Sequence, residues 1–265
     1  MSRYIFVTKT TRDKLTEDLF DEFMKTIEEN FITMNLTAVY IIRDNDNYPV
    51  KEYNVPVKII ESEYKGAGEL LRLYYFHKLI EDPNAICISI HDSVFLRNFN
   101  FNNTENYGYD IFWTCVHDFD IPTNEKPLLS KVKNNSIETN FLLSLYNNKK
   151  LWRPCFGACI STTKKFLDQV NKFTGLLSLV TEIKEYKHRV AIERITGFCF
   201  DITKRLLEEP FNNYTAFGNL HVFHHSEYTV ALMNPMTNKD FSFDNYRDNK
   251  KAFNNYNVIK VWLGR

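Results

Sequence analysis

The chain has 265 residues, 44% of them hydrophobic, with Lys plus Arg and Asp plus Glu both at 33. Such a chain buries one large core or two small ones, and its composition excludes a disordered protein. A formal net charge of zero advertises no nucleic acid and no anionic membrane as partner, so any basic surface must be local. The five cysteines lack paired spacing, and Cys87, Cys115, Cys159 and Cys199 sit in apolar runs, as reduced buried thiols do. Residues 1–10 carry no apolar signal segment, and no run approaches the roughly 18 apolar residues of a membrane span. The expectation is a reducing, cytoplasmic setting, with any membrane met peripherally from that side. Oligomeric state leaves no mark in the composition.

In chain order, residues 4–7 form a short apolar strand ending in Thr8-Lys9-Thr10. Leu15, Phe20, Phe23, Met24, Ile27 and Phe31 then recur at helical spacing. A second strand over 38–42 stops at Arg43-Asp44-Asn45-Asp46-Asn47, residues that build turns by bonding their own backbone. A third strand over 55–60 precedes Lys65-Gly66-Ala67-Gly68 and a strong helix over 69–80, and a fourth, over 85–90, ends in His91-Asp92-Ser93. Alternation of this kind predicts an α/β fold, a Rossmann-like, mostly parallel sheet flanked by helices. The second half is more mixed. Strands are expected over 111–116 and 155–160, a helix over 138–146, a helix capped at Ser161, Thr162 or Thr163, and another carrying Val190, Ile195 and Phe198. With no repeat and no Gly/Ser linker, the economical division is one domain over 1–226 and a C-terminal extension over 227–265 that packs on it and ends in a strand-like 257–263.

Ligands of open parallel sheets bind beyond the carboxyl ends of the strands, which puts the tips at Thr8, Asp44 and His91 on one rim. Solvated turns are the plain alternative for each tip. The third tip is the least plain, because Val94-Phe95-Leu96 resumes the apolar run and holds Asp92 in a structured segment.

This order of parts resembles the GT-A type of glycosyltransferase. In that family a nucleotide-binding βαβ half is followed by a strand ending in an Asp-containing motif, usually Asp-x-Asp, that holds a divalent cation against a sugar nucleotide. Here the motif position reads His91-Asp92-Ser93-Val94, without the second carboxylate. "CFGACISTTKKFLDQV" from Cys155 looks like the family's acceptor-side segment, Glu193 in "AIERITGF" falls where the family carries a helix-borne acid, and His221 in "FGNLHVFHH" falls where some members carry a late metal-binding His. The resemblance runs over residues 4–225. It implies transfer of a sugar from a nucleoside-diphosphate sugar such as a UDP-sugar to a glycan, protein or lipid hydroxyl, with Mn²⁺ or Mg²⁺ held by Asp92 and His221.

In this frame Asp92 and Glu193 are the catalytic candidates, Glu193 as the base that deprotonates the acceptor. An ion pair of Glu193 with Arg189 or Lys187 competes with that role. Donor-side candidates are Thr8, Lys9, Asp44, Lys65, Arg72, His91 and Ser93. Backbone amides near Gly66 and Gly68 could meet a phosphate, with Lys65 or Arg72 neutralising it, although both could equally be plain helix-face or surface charges. Trp152, Arg153, Phe156 and Asp118 are the acceptor-side candidates, Trp152 as a stacking face or simply as core. The glycines make no dinucleotide fingerprint and no Walker A pattern occurs. A zinc site at His221, His224 and His225 lacks companions at ligand spacing. Two rival readings remain: a metal-dependent phosphohydrolase built on His91-Asp92 and His117-Asp118-x-Asp120, and a non-catalytic nucleotide- or glycan-binding protein that has lost the second carboxylate.

Overall fold

A computed structural model describes residues 1–46, 48–117, 125–133, 136–210, 215–218, 229–231 and 243–261. Its centre is a six-stranded sheet in the order β3-β2-β1-β4-β7-β6. Strands β1 (Arg3–Lys9), β2 (Ala38–Arg43), β3 (Val57–Glu61) and β4 (Ile86–His91) run parallel. Strands β6 (Tyr109–Ile111) and β7 (Ile160–Thr163) close the sheet antiparallel. The fold is therefore α/β, mostly parallel, with a mixed second half.

Side chains of successive strand residues face opposite ways, so β1 feeds two cores. Ile5 and Val7 join one with Val39, Ile41, Ile88 and Ile90, while Phe6 joins the other and stacks on Tyr40 with ring centroids 4.4 Å apart. Helix α1 (Lys14–Asn30) covers the first core with Leu19, Phe20, Phe23, Met24 and Ile27, the face expected from its spacing except that Leu15 is exposed and Leu19 takes a core place. It begins with a capping box, Asp13 accepting from the Thr16 amide at 2.8 Å while Thr16 Oγ1 accepts from the Asp13 amide at 3.1 Å. Helix α2 (Leu70–Leu79) covers the second core through Leu70, Leu73 and Phe76. Beside it lie α6 (Lys164–Thr174), capped by Thr163 as expected, and α7 (Tyr186–Leu206), which is buried along most of its length. Shorter helices α3 (Asn102–Tyr107), α4 (Glu125–Leu129) and α5 (Thr139–Asn147) lie between β4 and β7 along the chain, and α8 (Phe243–Asp248) follows later.

A small second sheet joins β5 (Val94–Leu96) antiparallel to β9 (Val258–Lys260), with Phe95 opposite Ile259, and β9 parallel to β8 (Thr229–Ala231). Strand β9 is thereby stitched to the segment that follows β4 directly.

Two expected strands are corrected. Over 155–160 the chain makes a 3₁₀ turn at 156–158, because Gly157 and Ala158 both take positive φ, 59° and 47°, which ends extended structure; β7 starts only at Ile160. Over 111–116 the sheet strand ends at Ile111, and the backbone of Phe112 and Trp113 turns to bond Phe217 and Phe156 instead. No helix among the described residues is long and apolar enough to cross a membrane. All five cysteines are free and buried.

Candidate functional site

The carboxyl ends of β1 and β4 open on a cavity of about 420 Å³. Its walls come from both rim tips, from the start of α2, from one face of α7, from the 156–158 turn and from β9. Of the sequence candidates, the cavity brings together Thr8, Arg72, His91, Asp92, Ser93, Phe156 and Glu193.

The β4 tip is held rigidly. Asp92 and Ser93 form the turn between β4 and β5, and each is 8% exposed. The His91 ring lies 2.9 Å from the Gly157 carbonyl through Nε2. Burial, and after it the positive charges of Arg72 and Lys260, push the His91 pKa well below its ordinary value. The ring is therefore neutral near pH 7, and Nε2–H donates to Gly157. Only glycine allows this approach: at φ 59° a Cβ on residue 157 would lie 2.6 Å from that nitrogen. Arg72 grips the same turn from α2, donating from Nη2 to the Gly157 carbonyl at 2.5 Å and from Nε to the Glu69 carbonyl at 3.2 Å. Ser89 Oγ donates to the Ala158 carbonyl at 3.0 Å.

Across the start of α2, Arg189 forks onto the Glu69 carboxylate at 3.1 and 3.2 Å. Burial opposes the charge on Glu69, but Arg189 and then Arg72 more than offset it, and its pKa stays below the usual carboxylate range. Arg189 reaches Glu69 over Gly68, where a Cβ would lie 2.5 Å from the Arg189 Nε. Glu193, one turn further along α7, is half-buried in the cavity wall. So the fork of Arg189 is set on Glu69, 120 residues away in the chain.

The remaining candidates lie outside this wall. Asp44 accepts from the Gly66 and Gly68 amides at 2.5 and 3.0 Å, so the two amides expected to meet a phosphate are already taken by a carboxylate. Lys9 is buried in an ion pair with Asp46 at 2.5 Å. Lys65 is exposed. Trp152 is core, donating from Nε1 to the Tyr146 carbonyl at 3.0 Å and stacking on the Tyr146 ring. Arg153 is clamped on the fully buried Asp201 through Nε at 3.0 Å and Nη2 at 2.8 Å. His117 sits edge-on to Trp152 with Nε2 3.0 Å from its carbonyl. Asp118, Asp120, His221, His224 and His225 lie outside the described residues.

Sequence reasoning missed the Glu69–Arg189 clamp, Tyr186 and Lys260, which also line the cavity. Lys260 carried a signal: it interrupts the apolar run Val258-Ile259-Lys260-Val261, and a lysine there is buried. Its Nζ donates to Ser93 Oγ and, at 3.2 Å, to the Val261 carbonyl.

Of the two residues expected to hold a divalent cation, Asp92 lines the cavity and His221 lies outside the described residues. Asp92 is the single carboxylate of its motif, Glu69 is engaged by Arg189, and His91 Nε2 by Gly157. Among the described residues no three His, Cys, Asp or Glu side chains gather as metal ligands.

No family model matches the chain, and no curated protein matches it in sequence. Among solved structures it is similar to mouse Xyloside xylosyltransferase 1 in its apo form, at 9% identity, over 99% of this chain and 98% of that one, with a TM-score of 0.34. A likeness at that score identifies neither the reaction nor the ligand.

Proposed function

We propose that the protein is a glycosyltransferase of the GT-A kind, moving a sugar from a nucleoside-diphosphate sugar to an acceptor hydroxyl. The observation that carries this reading is one cavity at the carboxyl rim of a parallel sheet that joins the motif carboxylate Asp92 to Glu193 on α7. The donor lies against Thr8 and Ser93, and its anomeric carbon faces Glu193. The Glu193 carboxylate removes the proton of the acceptor hydroxyl. The acceptor oxygen then bonds the anomeric carbon while the bond from that carbon to the diphosphate oxygen breaks, its electron pair leaving with the nucleoside diphosphate. Phe156 in the wall and Tyr186, 67% exposed at the start of α7, offer flat apolar faces to a sugar ring.

The missing second carboxylate favours one alternative, a nucleotide- or glycan-binding protein without turnover. A hydrolysis and transfer screen over UDP- and GDP-sugars separates the two. Release of nucleoside diphosphate that is abolished in Asp92→Ala, with the melting temperature retained, supports the transferase. Binding of nucleotides without turnover of any sugar nucleotide supports the alternative.

A further inference from the structure

We infer that this cavity binds the diphosphate of its ligand without a divalent cation, the negative charge being met by Arg72 and Lys260. The inference rests on the reading above for the ligand's class, and on the cavity itself for its geometry.

Arg72 is 1% exposed and lines the cavity. Two of its nitrogens donate to the carbonyls of Glu69 and Gly157, while Nη1 is buried without a hydrogen-bond partner. The Arg72 charge stands in the cavity wall and is met there by two carbonyl dipoles, which an anion in the cavity would supplement. Lys260, 4% exposed, brings a second cation to the same wall, fixed against the Asp92-Ser93 turn by its bond to Ser93 Oγ. Both cations are placed by long-range structure. Arg72 is locked to a turn 85 residues away, and Lys260 to a hydroxyl 167 residues away, so neither needs to reorganise when an anion arrives.

The donors for a metal point the other way. Glu69 and the His91 Nε2 are committed as above, and a dication at Asp92 would share its cavity with Arg72 and Lys260, which repel it.

The test is calorimetric titration of the full chain with inorganic pyrophosphate, UDP and GDP, first in EDTA and then with Mn²⁺ or Mg²⁺. The expected result is binding in EDTA that the metals leave unchanged. Lys260→Met and Arg72→Lys should each weaken it by about tenfold or more, the usual loss of a charge-assisted hydrogen bond. If Arg72→Lys does not fold, Lys260→Met and the metal arms still decide. Binding that appears only with Mn²⁺ or Mg²⁺, no diphosphate binding under either condition, or variants that bind as the wild type does would each overturn the inference. Metal-free binding with no sugar nucleotide turned over removes the transferase reading and leaves this one standing. Transfer that depends on Mn²⁺ does the reverse.

Discussion

The tips of β2 and β4 look alike in sequence, each an apolar strand running into Asp with Asn, His or Ser, yet they meet different ends in the fold. At β2 the polar atoms are consumed internally. Asp44 caps the Gly66 and Gly68 amides, Asp46 pairs with Lys9, and Asp46 Oδ1 also accepts from the Tyr48 amide at 2.8 Å. At β4 the tip is braced from outside by Arg72, Gly157 and Lys260, and its own side chains line the cavity. The difference lies in what each tip meets. A flanking Gly-x-Gly turn supplies donors that quench carboxylates, whereas cations fixed to backbone carbonyls leave the β4 tip open to the cavity.

Under the proposed function, that contrast makes the β2 tip a matter of stability and the β4 tip a matter of turnover. The largest effect should come from Asp46→Ala, which leaves the Lys9 ammonium, 3% exposed, without its partner. Losing one member of a buried pair costs about 3 to 5 kcal/mol, read as a lower urea midpoint with an unchanged slope. The double change Lys9→Met with Asp46→Leu should recover most of that loss, since an apolar pair of similar volume has no charge to desolvate. A single variant as stable as the wild type would dissolve the contrast.

Next comes Glu193→Gln, which on the proposed mechanism keeps shape and donor binding while removing the base. Single-turnover transfer at saturating donor should fall by roughly a hundredfold or more, with the melting temperature nearly constant. A variant that transfers at full rate would remove Glu193 from the chemistry and leave the β4 side of the cavity as a binding surface.

How much of this was legible in the sequence depends on range. Strands β1, β2 and β4 and helices α1, α2, α6 and α7 follow local periodicity, and the periods survive in the fold because each element buries the stripe its spacing defines. The 156–158 turn escaped because Ala158 at φ 47° has nothing in its side chain to announce a left-handed backbone. The cavity's members were visible singly, Asp92 by its strand end and Glu193 by its helix. The bonds that decide their roles were not. Asp44 meets its glycines 22 and 24 residues on, and Arg189 meets Glu69 across 120. Only the folded chain shows which charges cancel.

A smaller effect tests the Asp44 half of the comparison. Asp44→Ala leaves two amides without their acceptor, one of them on the buried Gly68, and should lower stability by about 2 kcal/mol. Nucleoside diphosphate affinity in the folded variant should change little. Intact stability with weakened affinity would return Asp44 to the ligand side and place the base pocket on β2.

The smallest effect is expected at Lys65, which stands beside the same glycines but points to solvent. In sequence it looks like a phosphate lysine ahead of a helix. In the fold, the amides that would share its phosphate are bonded to Asp44, and the cavity wall begins at Gly68, past the turn. An exposed lysine away from any buried network is worth within about 0.5 kcal/mol, so Lys65→Ala should match the wild type in melting temperature. It should also match in pyrophosphate affinity, measured at low salt, where a distant charge has its best chance of being felt. Lys260→Met under the same conditions should differ clearly. If the two lysines behaved alike, the charge reaching the ligand would be the general field of the surface instead of two buried cations, and the distinction between the β2 and β4 tips would lose its electrostatic half.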